Sequence, residues 1–130
     1  MDWQRLAYMS IVAAAMVHGV HAADDLWAQR GHGSAWLDGR EGAAALALAP
    51  LALSLWGLTW TGTMHALAWL PSTLLGVSLA ATAGAHIVWG FDMTTRRWAV
   101  AGAMLVVGLL TVASALATAR LQGDPDAVAA

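Results

Sequence analysis

The feature that most constrains this chain is the spacing of its charges. Residues 6–23, 43–62, 71–91 and 98–119 contain no Asp, Glu, Lys or Arg, and all four stretches are dominated by Ala, Leu, Val and Gly. A helix of about 20 such residues rises ~30 Å, the thickness of the hydrocarbon core of a bilayer. Hydrophobic residues make up 59% of the chain and charged residues 11%, less than half the roughly 25% usual in water-soluble domains, so lipid is the solvent these segments suit. We therefore expect an all-α fold: an integral membrane bundle of four transmembrane helices, a multi-pass protein of the cell membrane. At 130 residues there is room for one domain. It is expected over residues 1–121, with a disordered tail at 122–130.

Breaks between the runs place the connections. Residues 24–42 hold four acids, two Arg, four Gly and His32, and read as an exposed polar loop. Residues 63–70 read as an interfacial connection, and Asp92 to Arg97 as a short turn. Pro50 is expected to kink the second helix, whereas Pro71 suits the first turn of the third, where its missing N–H is no loss. The first run has a rival reading. Arg5, an apolar stretch and the small-residue pattern Val20-His21-Ala22 resemble a secretory signal cleaved after residue 22, which would leave three helices; we read it as a retained helix. Orientation stays open. Arg30, Arg40, Arg96 and Arg97 favour a cytoplasmic side for the two larger loops, and a signal-like first helix with Arg5 inside favours the reverse.

Helices in lipid associate through close backbone approach and interhelical hydrogen bonds. Three stripes of small residues are candidates: Ala15, Gly19 and Ala23; Gly76, Ala80 and Gly84; Ala99 and Ala103. Trp3, Trp27, Trp36, Trp60, Trp69, Trp89 and Trp98 fall near expected helix ends, as interfacial anchors do, and Trp56 is expected deeper.

The chemistry the chain can hold is narrow. It has no cysteine, so disulfides, iron–sulfur clusters and thiolate-bound zinc are excluded. All six basic residues are Arg, scattered along the sequence, which is no footprint for nucleic acid. No serine elbow or phosphate-cradling Gly loop is present, so independent enzymatic activity is not expected, although metal-dependent chemistry stays open. Histidines inside spanning segments are the exception, since ionisable groups there are costly to hold. On the first helix His18, His21 and Asp25 recur at spacings of three and four, within roughly 60° of one another at 100° per residue, while Asp24 points elsewhere, toward a cap or the loop. On the third helix, which runs in the same direction, His86 sits as far from the end as His18 does, ~7 Å in at 1.5 Å per residue, with Asp92 nearby.

Imidazoles from two helices at one depth suit axial ligation of a b-type haem by His18 and His86, or a copper, iron or zinc site built from His18, His21, Asp25 and His86. Met16 and Met93 can add soft donors for Cu(I). H-x-x-H alone is a weak motif, and a histidine near a helix end is often purely structural; a proton or ion relay is the third use. His32 and His65 are not expected at the site. In size and plan the chain is similar to small b-type cytochrome anchors, although no motif ties it to them. The function expected is an accessory or cofactor-holding subunit of a larger membrane complex, with other membrane subunits, a second copy of itself and the bilayer as partners. The alternatives are a small oligomeric transporter or channel, and a scaffold subunit with no ligand.

Overall fold

The computed structural model describes residues 2–28, 40–89 and 94–123. They form four helices, α1 (Trp3–Ala28), α2 (Arg40–Gly62), α3 (Trp69–Trp89) and α4 (Thr95–Gly123), with no strand among the described residues. Each uncharged run became a helix, but α1, α2 and α4 extend past it into polar sequence: Arg40 to Gly42, expected in the loop, open α2, and Gln122 and Gly123, expected in the tail, end α4. Asp24 to Ala28 continue α1, and Thr95 to Arg97, expected in a turn, open α4. The rest of the expected polar loop, residues 29–39, and the tail from 124 lie outside the described residues, as do Asp92 and Met93. Pro50 is taken within α2 without a break in the helix.

The helix ends follow from side chains that satisfy orphan backbone groups. The Asp2 carboxylate accepts from the Arg5 N–H at 3.0 Å, and Thr94 Oγ1 accepts from the Arg97 N–H at 3.4 Å, capping α1 and α4. At the end of α2 the Met64 N–H bonds the Thr61 carbonyl and the His65 N–H bonds the Trp60 carbonyl, the paired pattern that closes helices through a left-handed residue. That residue is Met64, at φ 54°, where glycine is the usual occupant. Residues 63–68 form the turn expected there, and the His65 ring closes it by accepting the Leu67 N–H on Nδ1 at 3.1 Å.

The polarity of the bundle runs opposite to that of a water-soluble one. Ser10, His18, Ser54, Thr61, Ser72, His86, Thr111 and Ser114 are buried, while Met16, Val20, Leu48, Leu55, Val77, Val88, Leu109 and Leu110 face outward. Apolar surface on this scale is covered by lipid or a partner, not by water. Three helices are long and apolar enough to cross a membrane: residues 3–24, 69–88 and 95–121. The expectation of four such segments therefore stands for α1, α3 and α4 among the described residues, and α2 is not in that set.

Around the bundle the helices follow chain order. α3 packs most extensively on α4, α1 lies against α4 and α2, α2 against α3, and α1 also touches α3 across the centre. The tightest approach is between α3 and α4. A Cβ on Gly76 would stand 2.6 Å from the Gly108 carbonyl oxygen, and a Cβ on Gly108 would stand 2.6 Å from that of Gly76 and 3.0 Å from the Ala80 nitrogen. Gly76 and Ala80 thus act as the small-residue stripe expected of them, but Gly84 meets nothing within 4 Å.

The other two stripes are not the packing faces. Gly19 and Ala23 are exposed, and α1 instead buries Ala7, Ser10, Ile11, Ala14 and His18. On α4 Ala99 and Ala103 are exposed, and the buried row is Arg97, Ala101, Met104, Gly108, Thr111 and Ala115. That row repeats every three and four residues, so the spacing of four chosen from the sequence drifted off it. Between α1 and α4 the Ser10 and Ser114 hydroxyls lie 3.1 Å apart, and the Thr111 hydroxyl donates to the Ser10 carbonyl at 3.3 Å and the Val107 carbonyl at 2.8 Å.

Because the obstacle at Gly76 and Gly108 is backbone, Gly76→Ala or Gly108→Ala is expected to push α3 from α4 and cost about 1–3 kcal/mol. Gly84→Ala, entering open space, is expected to be neutral or to stabilise by up to about 1 kcal/mol through helix propensity. Thermal unfolding of the three variants in detergent, followed by circular dichroism, measures the contrast.

Candidate functional site

Three imidazoles lie toward one end of the bundle, and two of them, His21 and His86, are in contact across helices. α1 buries its face at every third or fourth residue from Ala7 through Ile11 and Ala14 to His18, and His21 continues that row, half-buried. On α3 the same logic carries Ser72, Leu75, Leu79, Ala83 and His86, all buried. The two rows face each other across the centre. The rings of His21 and His86 stand 4.8 Å apart, centre to centre, at 81°, and those of His18 and His21 stand 6.3 Å apart at 64°. His21, and not His18 as expected, is therefore level with His86, while His18 lies about one turn earlier in α1.

The tautomer of His86 is set by its own helix. Its Nδ1 lies 2.8 Å from the Thr82 carbonyl oxygen, which can only accept, so Nδ1 carries the proton and Nε2 presents the lone pair. Nε2 of His86 and Nε2 of His18 are both shut away from solvent. A ring nitrogen fixed by a carbonyl on one side and turned inward on the other is how metal-binding imidazoles are commonly oriented.

His21 and His86 border a small cleft completed by Asp24, Arg97, Val100, Ala101 and Met104, with about 10 Å³ of free space. That is room for one water molecule or a bare ion. The Asp24 carboxylate reaches α4: Oδ1 lies 2.9 Å from the Arg96 guanidinium and Oδ2 lies 3.7 Å from Nε of Arg97. The Asp24 and Arg97 side chains are only 13% and 7% exposed, whereas Arg96 is 71% exposed, so one ion pair is interior and the other is at the surface.

Of the residues expected at the site, His18, His21 and His86 are brought together. Asp25 belongs to α1, but its side chain lies outside the described residues. Met16 is 67% exposed and turned outward, away from the cleft, so it supplies no donor there. Asp24, expected to point to a cap or the loop, lines the cleft instead. It stands three residues after His21, and a turn of helix puts the two on adjoining positions of one surface. Arg97 and Met104 were missed for a related reason. Both lie on the three-and-four row of small and buried residues along α4, which is the signal that would have found them.

His65 is remote, as expected. It follows α2 at the other end of the bundle, where its ring stacks on Trp60 at 4.2 Å and 23°. Trp60 in turn meets Trp56 edge-on at 4.9 Å; Trp56, expected to be deep, is 38% exposed. His32 lies outside the described residues.

As the side chains stand, no three His, Asp or Glu groups among the described residues are close enough together to hold a metal ion. Closing such a site needs a side-chain rotation. No family model, curated protein or solved structure matches the chain, so only its own geometry bears on its function.

Because both members of the Asp24–Arg97 pair are largely buried, removing one should cost more than removing both. Asp24→Leu is expected to destabilise the bundle, and adding Arg97→Met to recover part of the loss. The double-mutant cycle in detergent unfolding is expected to give a coupling energy on the order of 1–3 kcal/mol.

Proposed function

We propose that this is a small multi-pass protein of the cell membrane whose bundle holds a divalent first-row transition-metal ion at His18, His21 and His86. α1, α3 and α4 would cross the bilayer together with α2, which carries no charge from Ala43 to Gly62. The protein would serve as an ion-holding subunit of a larger assembly, formed with other membrane proteins or with further copies of itself.

The observation that carries this reading is the contact between imidazoles of different helices, His21 and His86, beside an ion-sized cleft. Metal–imidazole bonds are about 2.0–2.1 Å long, so two rings sharing a tetrahedral ion have centres about 5 Å apart. The observed 4.8 Å, an edge-to-face contact, brings the two rings within that separation, so rotation of the side chains rather than movement of the helices would complete the site. Neutral imidazole suits zinc, copper, iron and nickel, and poorly suits calcium and magnesium. Met104, also on the cleft, adds a thioether that favours the softer of these ions. A b-type haem is less well supported, because rings already in contact leave no slot for a macrocycle unless α1 and α3 part.

A second reading, passage of protons or ions through an oligomer, has one observation in its favour: His18, His21 and Asp24 recur every third residue, from the buried part of α1 toward its end. A liposome flux assay tests it, and a His18→Ala variant conducting like the unaltered protein would count against it.

For the metal reading, the purified protein titrated with Co²⁺ is expected to bind one ion per chain with visible d–d absorption. His86→Ala should weaken binding at least about tenfold, and His65→Ala should leave it unchanged. A protein that takes up no Co²⁺, Zn²⁺ or Cu²⁺ above background, or a His86→Ala variant that binds like the unaltered chain, would refute it.

A further inference from the structure

From Ala43 to Phe91 the sequence holds no Asp, Glu, Lys or Arg, and that run takes in α3, all but the start of α2, and the turn that joins them. Turns in water are commonly polar, yet this one carries Met64 and Leu67, 65% and 47% exposed. Met64 is also the residue at φ 54°, so a large apolar side chain stands at the corner against the local backbone preference. The backbone of the turn asks little of water. The N–H groups of Thr63, Met64, His65, Ala68 and Leu70 donate to the carbonyls of Thr59, Thr61, Trp60, His65 and Leu67, and that of Leu67 donates to the His65 ring. Internal pairing of this kind is what a membrane layer poor in water demands of a backbone. Depth follows from the neighbours. Gln4 donates to the Thr61 carbonyl, so the corner is close to the level of the start of α1, where Asp2 and Arg5 are exposed. The apolar spans of α1 and α3 begin there too, at Trp3 and Trp69. That is the height of the lipid headgroups, the layer that indole rings such as those of Trp60 and Trp69 favour.

We propose that the α2–α3 corner is a lipid-binding surface: it lies within the headgroup layer, with Met64 and Leu67 against the upper acyl chains, and holds this end of the bundle at a fixed depth. Because the corner has no acidic residue and no Lys or Arg, the headgroups it meets need no net charge, and zwitterionic phospholipid suffices. Apolar area supplies the attraction. The inference rests on the membrane reading of the fold and is independent of the histidine site.

The chain has no cysteine, so single cysteine variants of the full-length protein take a nitroxide label at one place. Met64→Cys and Leu67→Cys, both at exposed positions, are compared with Leu109→Cys on the outward face of α4 and with Arg96→Cys, whose native side chain is 71% exposed. The samples are vesicles of zwitterionic phospholipid with a nickel complex equilibrated on both sides, and electron paramagnetic resonance reads collisions with that complex and with oxygen. Labels at residues 64 and 67 are expected to meet the nickel complex about tenfold less than the label at residue 96, because a polar complex is depleted from an apolar layer. They should also favour oxygen, as the label at residue 109 does, and should not change when the protein is diluted in lipid. Nickel access at residues 64 and 67 equal to that at residue 96, with residue 109 shielded, would overturn the proposal and leave the membrane reading standing. Shielding that fades on dilution would overturn it as well, because a second copy of the chain would then be the cover. Open access at residue 109 would overturn both.

Discussion

The backbone contact between Gly76 and Gly108 fixes the rest of this bundle. Without side chains at those two positions, α3 and α4 approach until carbonyl oxygens stand where Cβ atoms would otherwise be. In lipid there is no hydrophobic drive between helices, so this density of van der Waals contact is the main attraction available. It also sets rotation. Once Gly76 and Ala80 are turned onto α4, the neighbouring row of Ser72, Leu75, Leu79, Ala83 and His86 has to face the centre. His86 is inward because the close approach at Gly76, ten residues earlier, fixes which side of α3 faces the bundle.

Polar groups do the remaining work of joining helices, and most of their hydroxyls are also satisfied within their own helix. Ser54, Ser72, Ser78, Thr82, Thr111, Ser114 and Thr118 each donate to a carbonyl three or four residues back in their own helix. Thr111 and Ser114 also reach Ser10, tying α1 to α4 in mid-bundle. The Asp24 pairs with Arg96 and Arg97 tie the same two helices at the end that carries the histidines, and Gln4, donating to the Thr61 carbonyl at 3.1 Å, ties α1 to α2 at the opposite end. The histidine cleft is thus walled by helices whose spacing is set elsewhere, which is what a site of fixed geometry needs.

What sits in that cleft is electrostatically mixed. Among the described residues, two imidazoles and a guanidinium face one carboxylate in a space the size of a water molecule. The ion pairs that hold the α1–α4 end together also border this cleft, so Asp24 belongs both to the packing of the bundle and to the lining of the cleft.

The sequence by itself determined the class of the fold and the number of helices, and it singled out three histidines that the structure sets toward one end of the bundle. Charge-free runs can be counted directly, and His18, His21 and His86 stand out because nearly everything around them is apolar. It placed the histidines of α1 and α3 toward the same end, because helix direction alternates along the chain, but chose His18 as the partner level with His86 where the structure has His21. Which face of each helix turns inward was not legible from small residues alone. Ala, Gly and Ser are so common here that stripes such as Ala15, Gly19 and Ala23 fit the pattern equally well, and only the contact of one backbone with another separates a packing face from a lipid-facing one. For the same reason Asp24, Arg97 and Met104 joined the site only in three dimensions. A charge at the edge of an apolar run reads as the start of a loop until a neighbouring helix supplies its counter-charge, and that neighbour, α4, is some seventy residues away in sequence.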